Sequence, residues 1–301
     1  MSLLVTGSIG IDTVKTPHGE SPDCIGGSAI YFSLAGSFFA PVRLVGVAGE
    51  DCPFDFEQVF SGRQVDLAGL EVRQGSKTFR WHGTYMENMN DRNTDLVELN
   101  VLAEAPPEVP EAYRDSEYVF LANTAPALQI QLLEQLSGPK LVVADTMDLW
   151  INNEKNDLLT LMSKIDGLVL NDSEAILFTQ QANLVAAARQ ILSQGLTFVL
   201  IKKGEHGSLL MNQEGQIFLL PAYPTDKVVD PTGAGDSFAG GMMGYLAGQG
   251  AHGFEQLKQA VAYGTVVASL LIEDFSLNRW NSAGRKEIDE RFEEIRALTR
   301  F

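Results

Sequence analysis

Six short apolar runs punctuate the chain: Leu3 to Thr6, Val42 to Val47, Tyr118 to Leu121, Leu141 to Ala144, Gly167 to Leu170 and Phe198 to Ile201. They are rich in β-branched residues and lack polar alternation. Strands buried on both faces read this way, which predicts a parallel sheet with helices against each side. Between them, apolar spacing over Ala29 to Phe39, Leu128 to Leu136, Leu158 to Ile165 and Leu184 to Leu192 predicts crossover helices. The expected fold is α/β, a doubly wound, mostly parallel sheet flanked by helices. Several runs end on polar groups: Asn123, Asp145, Asn171, and Lys202 with Lys203. In an open parallel sheet those ends share the edge where ligands bind.

One segment keeps a different period. Lys77 to Tyr85 alternates every second residue, with Phe79, Trp81 and Tyr85 on one face and Thr78, Arg80 and His82 on the other. A second extended run, Asp95 to Val101, follows an Asn- and Asp-rich turn at Glu87 to Asn93. Together they predict an antiparallel hairpin inserted into the α/β domain, either an ordinary edge hairpin or a sheet with one face on a substrate or partner. Near the C-terminus Leu257, Ala260, Val261, Gly264, Ala268 and Leu271 form one helical stripe.

The 301 residues suffice for one large core, and one domain over 1–301 is expected. With 39 acidic against 22 basic residues the net charge is −17, which argues against a nucleic-acid or anionic-membrane partner. No apolar stretch approaches the roughly 20 residues that span a bilayer, and no basic leader precedes the first strand, so a cytoplasmic location is expected. Cys24 and Cys52 lack metal-ligand spacing and read as free thiols, and the four histidines form no zinc pair.

The chemistry concentrates in Asp230-Pro-Thr232-Gly233-Ala234-Gly235-Asp236-Ser237-Phe238. Three small residues opening an apolar helical pattern leave backbone N–H groups free to cradle an anion at a helix N-terminus. Asp236 sits just inside that cradle, where a carboxylate suits a base and not a phosphate ligand. The reading is phosphoryl transfer to a hydroxyl: Asp236 takes the proton while the amides of Gly233, Ala234 and Gly235 stabilise charge on the phosphate. Packing accounts for part of the run, since Gly240, Gly241 and Gly244 allow close helix contact, but not for Asp236. Other constellations have plain structural readings as well. Asn171 and Glu174 have the spacing of a helix cap, Lys203, Gly204 and Gly207 that of a hairpin turn, and Asp12 that of a turn at the binding edge. No Gly-x-Gly-x-x-Gly follows the first strand and no Walker run occurs, so a dinucleotide oxidoreductase and a P-loop NTPase are excluded.

Asp-x-Thr-Gly-Ala-Gly-Asp resembles the signature of the ribokinase-like carbohydrate kinases, the phosphofructokinase B family, and the remaining motifs follow in that family's order. The resemblance implies an ATP-dependent sugar kinase with a small antiparallel β lid, here about 12–18 and 72–101, that often pairs two chains as a dimer. It implies Asp12, Gly26 and Gly27 on the substrate, with Tyr31 where relatives carry a sugar-reading Asn; the alternating lid face and the sheet edge add Trp81 and Asn123 to the expected substrate residues. It further implies Asn171, Glu174, Lys203, Gly204, Gly207, Tyr263 and Gly264 around the nucleotide, Mg²⁺ at Glu174 through water, and K⁺ near Asp230 and Thr232. Two alternatives stay open: a nucleoside kinase, for which Tyr31, Phe79, Trp81 and Tyr85 supply stacking surface, and a sensor that binds a sugar or nucleotide without turnover.

Overall fold

The computed structural model describes residues 1–300. Its strands are β1 (Leu3–Thr6), β2 (Gly10–Thr16), β3 (Gly19–Gly26), β4 (Val42–Gly49), β5 (Val65–Arg73), β6 (Phe79–Tyr85), β7 (Arg92–Glu98), β8 (Tyr118–Leu121), β9 (Leu141–Asp145), β10 (Gly167–Asn171), β11 (Phe198–Lys202), β12 (Ser208–Asn212) and β13 (Ile217–Leu220). The helices are α1 (Ser28–Gly36), α2 (Phe56–Val59), α3 (Pro126–Leu133), α4 (Asp148–Asn153), α5 (Lys155–Met162), α6 (Asp172–Thr179), α7 (Leu184–Leu192), α8 (Ala234–Gln249), α9 (Phe254–Leu271) and α10 (Arg285–Leu298).

Nine strands form one sheet in the order β13-β12-β11-β10-β9-β8-β1-β4-β5, parallel from β11 to β5 and antiparallel at β11/β12 and β12/β13. Alternation along each strand divides the core in two. Leu3, Val5, Phe120 and Val143 face one layer with α1, α8 and α9, while Leu4, Val119, Leu121 and Val142 face the other with α5, α6 and α7. All six apolar runs are strands of this sheet, as their double burial predicts.

A second sheet, β3-β2-β6-β7, stands over the C-terminal edge of the first. β2 pairs with β3 and β6 with β7 antiparallel, but β2 and β6 are parallel, so two hairpins distant in sequence share this sheet. Its bounds differ from the expected 12–18 and 72–101: Val72 and Arg73 belong to β5 of the large sheet, and Asn100 to Ala103 form a 3₁₀ turn. β7 begins three residues earlier than Asp95, because Asn88 closes the turn sooner. Its side-chain oxygen accepts the N–H groups of Asn90 and Asp91, and Met86 N–H donates to the Asp91 carbonyl.

The glycines of α8 set it against its neighbours at backbone distance. A Cβ on Gly240 would come within 2.4 Å of the Phe32 carbonyl, and one on Gly244 within 2.7 Å of that of Gly36. Gly264 of α9 meets the Phe238 carbonyl of α8 in the same way, at 2.6 Å. This packing fixes the N-terminus of α8 over the sheet edge.

Candidate functional site

Adjacent strands carry polar groups to the edge. Asn171 ends β10 in register with Lys202, the last residue of β11, and Asp145 ends β9 opposite Val169. Gly233 caps α8 with a left-handed backbone, φ 75°, and no side chain bonds the helix end. Ala234 N–H is spent on the Pro231 carbonyl at 3.1 Å, which narrows the expected three-amide cradle, whereas no other described residue accepts from the N–H groups of Gly233, Gly235 or Asp236. Those orphan donors leave the start of α8 able to receive an anion.

Lys202, not Lys203, comes to this cradle: its Nζ lies 2.7 Å from where a Cβ on Gly235 would stand. Around that ammonium are Asp145, Glu174 and Asp236. Burial raises the pKa of Asp236 above the ordinary carboxylate range; Lys202, its own amide and Arg92 pull it back. Asp145, 6% exposed, is pushed up further by burial and by Asp236, and its Oδ1 has no partner among the described residues. Glu174 is raised by burial and drawn down by Lys202. The sequence places Asp145 at the edge without a role and singles out no function for Arg92. The end of a buried strand was the available signal for the first; only the lid's register exposes the second.

Asn171 and Glu174 form a reciprocal capping box at the start of α6. Glu174 N–H donates to Asn171 Oδ1 at 2.7 Å, and Asn171 N–H donates to Glu174 Oε2 at 2.8 Å. Gly204 and Gly207 lie in the β11–β12 turn with φ 52° and 82°. Gly207 is pressed on the Leu220 carbonyl, 2.0 Å from where its Cβ would be. Tyr263 is stacked between Phe292 at 4.1 Å and Tyr245 at 4.7 Å. With both ring faces covered it offers a nucleotide no stacking surface, and Gly264 is a helix-packing residue.

On the lid side, Asp12 of β2 is 4% exposed and in register with Trp81 of β6. Its carboxylate lies over Gly26, where a Cβ would stand 1.9 Å from Oδ2. Burial, with Asp230 and Asp236 nearby, raises its pKa to about 8 despite the Gly27 amide. Gly27, φ 100°, brings the N-terminus of α1 onto Ser8, whose carbonyl would be 2.4 Å from a Cβ there. Trp81 leans over Gly83, its Cη2 only 2.1 Å from the missing Cβ.

Tyr31 is 1% exposed and its ring lies against Gly233, 2.4 Å from where a Cβ would be. It supports the anion loop from below and is not a stacking surface. Asn123 is clamped: Trp150 Nε1–H donates to its Oδ1 at 2.9 Å and its Nδ2 faces the Met147 sulfur at 3.1 Å. Asp230 accepts the N–H groups of Thr232 at 2.9 Å and Ser276 at 3.1 Å, and the Val229 and Asp230 amides meet the Ile272 carbonyl. Those bonds tie residues 229–232 to residues 272–276.

The lid touches the body beside this centre. Thr232 Oγ1 donates to Tyr85 Oη at 3.3 Å, and Asn90 Nδ2 donates to Glu205 of the β11–β12 turn at 3.3 Å.

The profile of the pfkB family carbohydrate kinases matches residues 28–282. A cytidine kinase of Thermococcus kodakarensis is 31% identical over 257 residues, covering 83% of this chain and 90% of that protein. A Burkholderia thailandensis nucleoside kinase in complex with inosine superposes with a TM-score of 0.80 at 19% identity, covering 97% of each chain. An E. coli protein described as a ribokinase II, in complex with ATP and Mg²⁺, does so with a TM-score of 0.76 at 17% identity, over 97% of this chain and 99% of that one.

Proposed function

The chain belongs to the pfkB family of carbohydrate kinases and is a phosphotransferase, and from that premise we propose that it moves the γ-phosphate of ATP to the ribose hydroxymethyl of a nucleoside. The observation that carries this choice is the juxtaposition of Asp12 and Trp81 on one face of the lid. A carboxylate that accepts from sugar hydroxyls stands next to a flat ring that can cover a base. The similarity to a cytidine kinase supports the same choice. A free sugar, the first reading of the sequence alone, uses the carboxylate but leaves the base surface without a purpose.

In this reading Asp12 holds the ribose and Asn123, fixed by Trp150, presents its amide to the substrate. Asp236 takes the proton of the attacking hydroxyl. Its raised pKa strengthens it as a base, while the Lys202 ammonium favours its ionised form. The amides of Gly233 and Gly235 and the ammonium of Lys202 meet the negative oxygens of the transferring phosphate. Residues 203–207 flank the nucleotide.

The donor set fits Mg²⁺. Three carboxylates share one lysine, and Asp145 Oδ1 is unpartnered. Among the described residues no three His, Cys, Asp or Glu side chains close into a metal cage, which suits an ion that keeps waters and takes phosphate oxygens. Glu174 and Asp145 would hold it, and when bound it neutralises phosphate charge. The unpaired outer edge of the lid, where Leu96 and Val97 are exposed, supports a dimer through β7. No described helix is long and apolar enough to cross a membrane, and the ATP it consumes is taken to be cytoplasmic.

The test is phosphorylation of a panel of pyrimidine and purine nucleosides, ribose and fructose with Mg·ATP, with products identified by mass. Nucleoside monophosphate is the expected product, and Asp236→Ala should lower kcat roughly 10³-fold while ATP binding persists. Turnover confined to free sugars would overturn the nucleoside choice; an active Asp236→Ala would remove that residue as base.

A further inference from the structure

Arg92 opens β7 directly opposite Tyr85 of β6. Opposed residues of an antiparallel pair project from the same face of the sheet. Tyr85 is 8% exposed and meets Thr232 of the anion loop, so this face looks onto the N-terminus of α8. The Arg92 guanidinium lies 5.9 Å from the centre of the Trp81 ring, on the same side of the lid as Asp12.

Its lack of partners is unusual in so acidic a chain. Arg80, on the same hairpin, is ion-paired with Asp23 at 3.3 Å and Asp51 at 3.6 Å. Arg92 makes no ion pair or hydrogen bond among the described residues, although it is close enough to draw down the carboxyls of both Asp236 and Glu174. It rests on an aromatic face, with its five donors free. The body of the site is short of positive charge: Lys202 alone stands among Asp145, Glu174 and Asp236. A triphosphate brings several more negative charges, and its transferring group needs cations that match its oxygens.

We propose that Arg92 is a catalytic residue delivered by the lid: with both substrates bound it swings from Trp81 onto the oxygens of the transferring phosphate. The acceptor oxygen forms its bond to phosphorus, the bond to the β-phosphate oxygen breaks, the hydroxyl proton goes to Asp236, and ADP departs. Arg92 neutralises charge throughout without exchanging a proton. Because it rides on the lid, full charge neutralisation exists only when the lid is shut over an acceptor. Water arriving at an open site therefore meets an incomplete centre. The role deepens the kinase reading given above and is independent of which acceptor is used.

The experiment takes the full chain with whichever acceptor the panel identifies and compares wild type, Arg92→Ala and Arg92→Lys. Arg92→Ala should lower kcat about 10²- to 10³-fold with acceptor KM within about threefold, and Arg92→Lys should recover only part of the loss, because a point charge replaces a fork. Added guanidinium should partly restore Arg92→Ala. ADP with aluminium fluoride and acceptor, which mimics the phosphate in flight, should bind wild type more tightly than ADP does, and Arg92→Ala should lose that increment while keeping its ADP affinity. A kcat within threefold of wild type, a loss confined to acceptor KM, or an unchanged fluoride complex would each overturn the proposal. Arg92 is exposed and unbonded, so its removal leaves the fold intact. Failure of the nucleoside reading would register separately, as a wild type that phosphorylates only free sugars.

Discussion

At the scale of single residues, Asp12 and Gly26 behave as one unit. The carboxylate occupies the space a side chain at position 26 would need, with Asp12 Cγ 2.3 Å from the missing Cβ. Gly26→Ala should therefore push the carboxylate aside without touching Asp236 or the nucleotide side. Displacing the Asp12 carboxyl leaves its buried partner group unsatisfied, a loss of about 1–3 kcal/mol, so kcat/KM for the acceptor should fall roughly 10- to 100-fold while KM for ATP holds. Steady-state kinetics with each substrate varied in turn checks this. A parallel rise in both KM values would indicate a general collapse of the edge instead.

At the scale of elements, α6 begins with residues to which the proposed function gives a second use. Asn171 and Glu174 cap the helix, and the cap engages only one Glu174 oxygen, Oε2, so that Oε1 takes no part in the box. The two uses separate by substitution. Glu174→Gln preserves the box, since Gln closes it as Glu does, and should leave unfolding free energy within about 0.5 kcal/mol of wild type. It should nevertheless raise the Mg²⁺ concentration for half-maximal rate by about tenfold, in line with the loss of one metal-facing charge. Glu174→Ala should show both effects, adding a stability loss of about 1 kcal/mol. Urea unfolding together with a Mg²⁺ titration distinguishes them.

At the scale of the molecule, the site holds carboxyls whose pKa values lie above their unfolded values: Asp12 at about 8, with Asp145, Glu174, Asp230 and Asp236 shifted the same way by burial. A folded state that keeps protons the unfolded chain would release is stabilised at low pH and loses that stability as pH rises through the folded pKa. Stability should accordingly fall from pH 6 to pH 8, with Asp12 alone contributing about 2 kcal/mol, or about 3 °C in Tm for a chain of this length. Asp12→Asn should flatten that slope and melt higher than wild type at pH 8. Thermal unfolding across the range decides it; a slope unchanged by Asp12→Asn would acquit that residue. The cost lies where the proposed function places the acceptor, as expected of a site that assembles like charges for use.

The linear order of residues was enough for the parallel sheet, because strands buried on both faces carry a local signature that no neighbour alters. It was also enough for the helix start at Ala234 and most of the free amides around it, because these are made by consecutive residues. What required the tertiary structure is everything that depends on side chains meeting across elements. Lys202 rather than Lys203 reaches Gly235, because the last residue of a strand inherits that strand's alternation. Tyr263 is stacked between two rings that lie 18 and 29 positions away. Tyr31 lies beneath the loop whose substrate it was expected to touch. Arg92 faces the centre only because an Asn88 turn sets the register of a hairpin, and a shift of one residue would turn it to the opposite face.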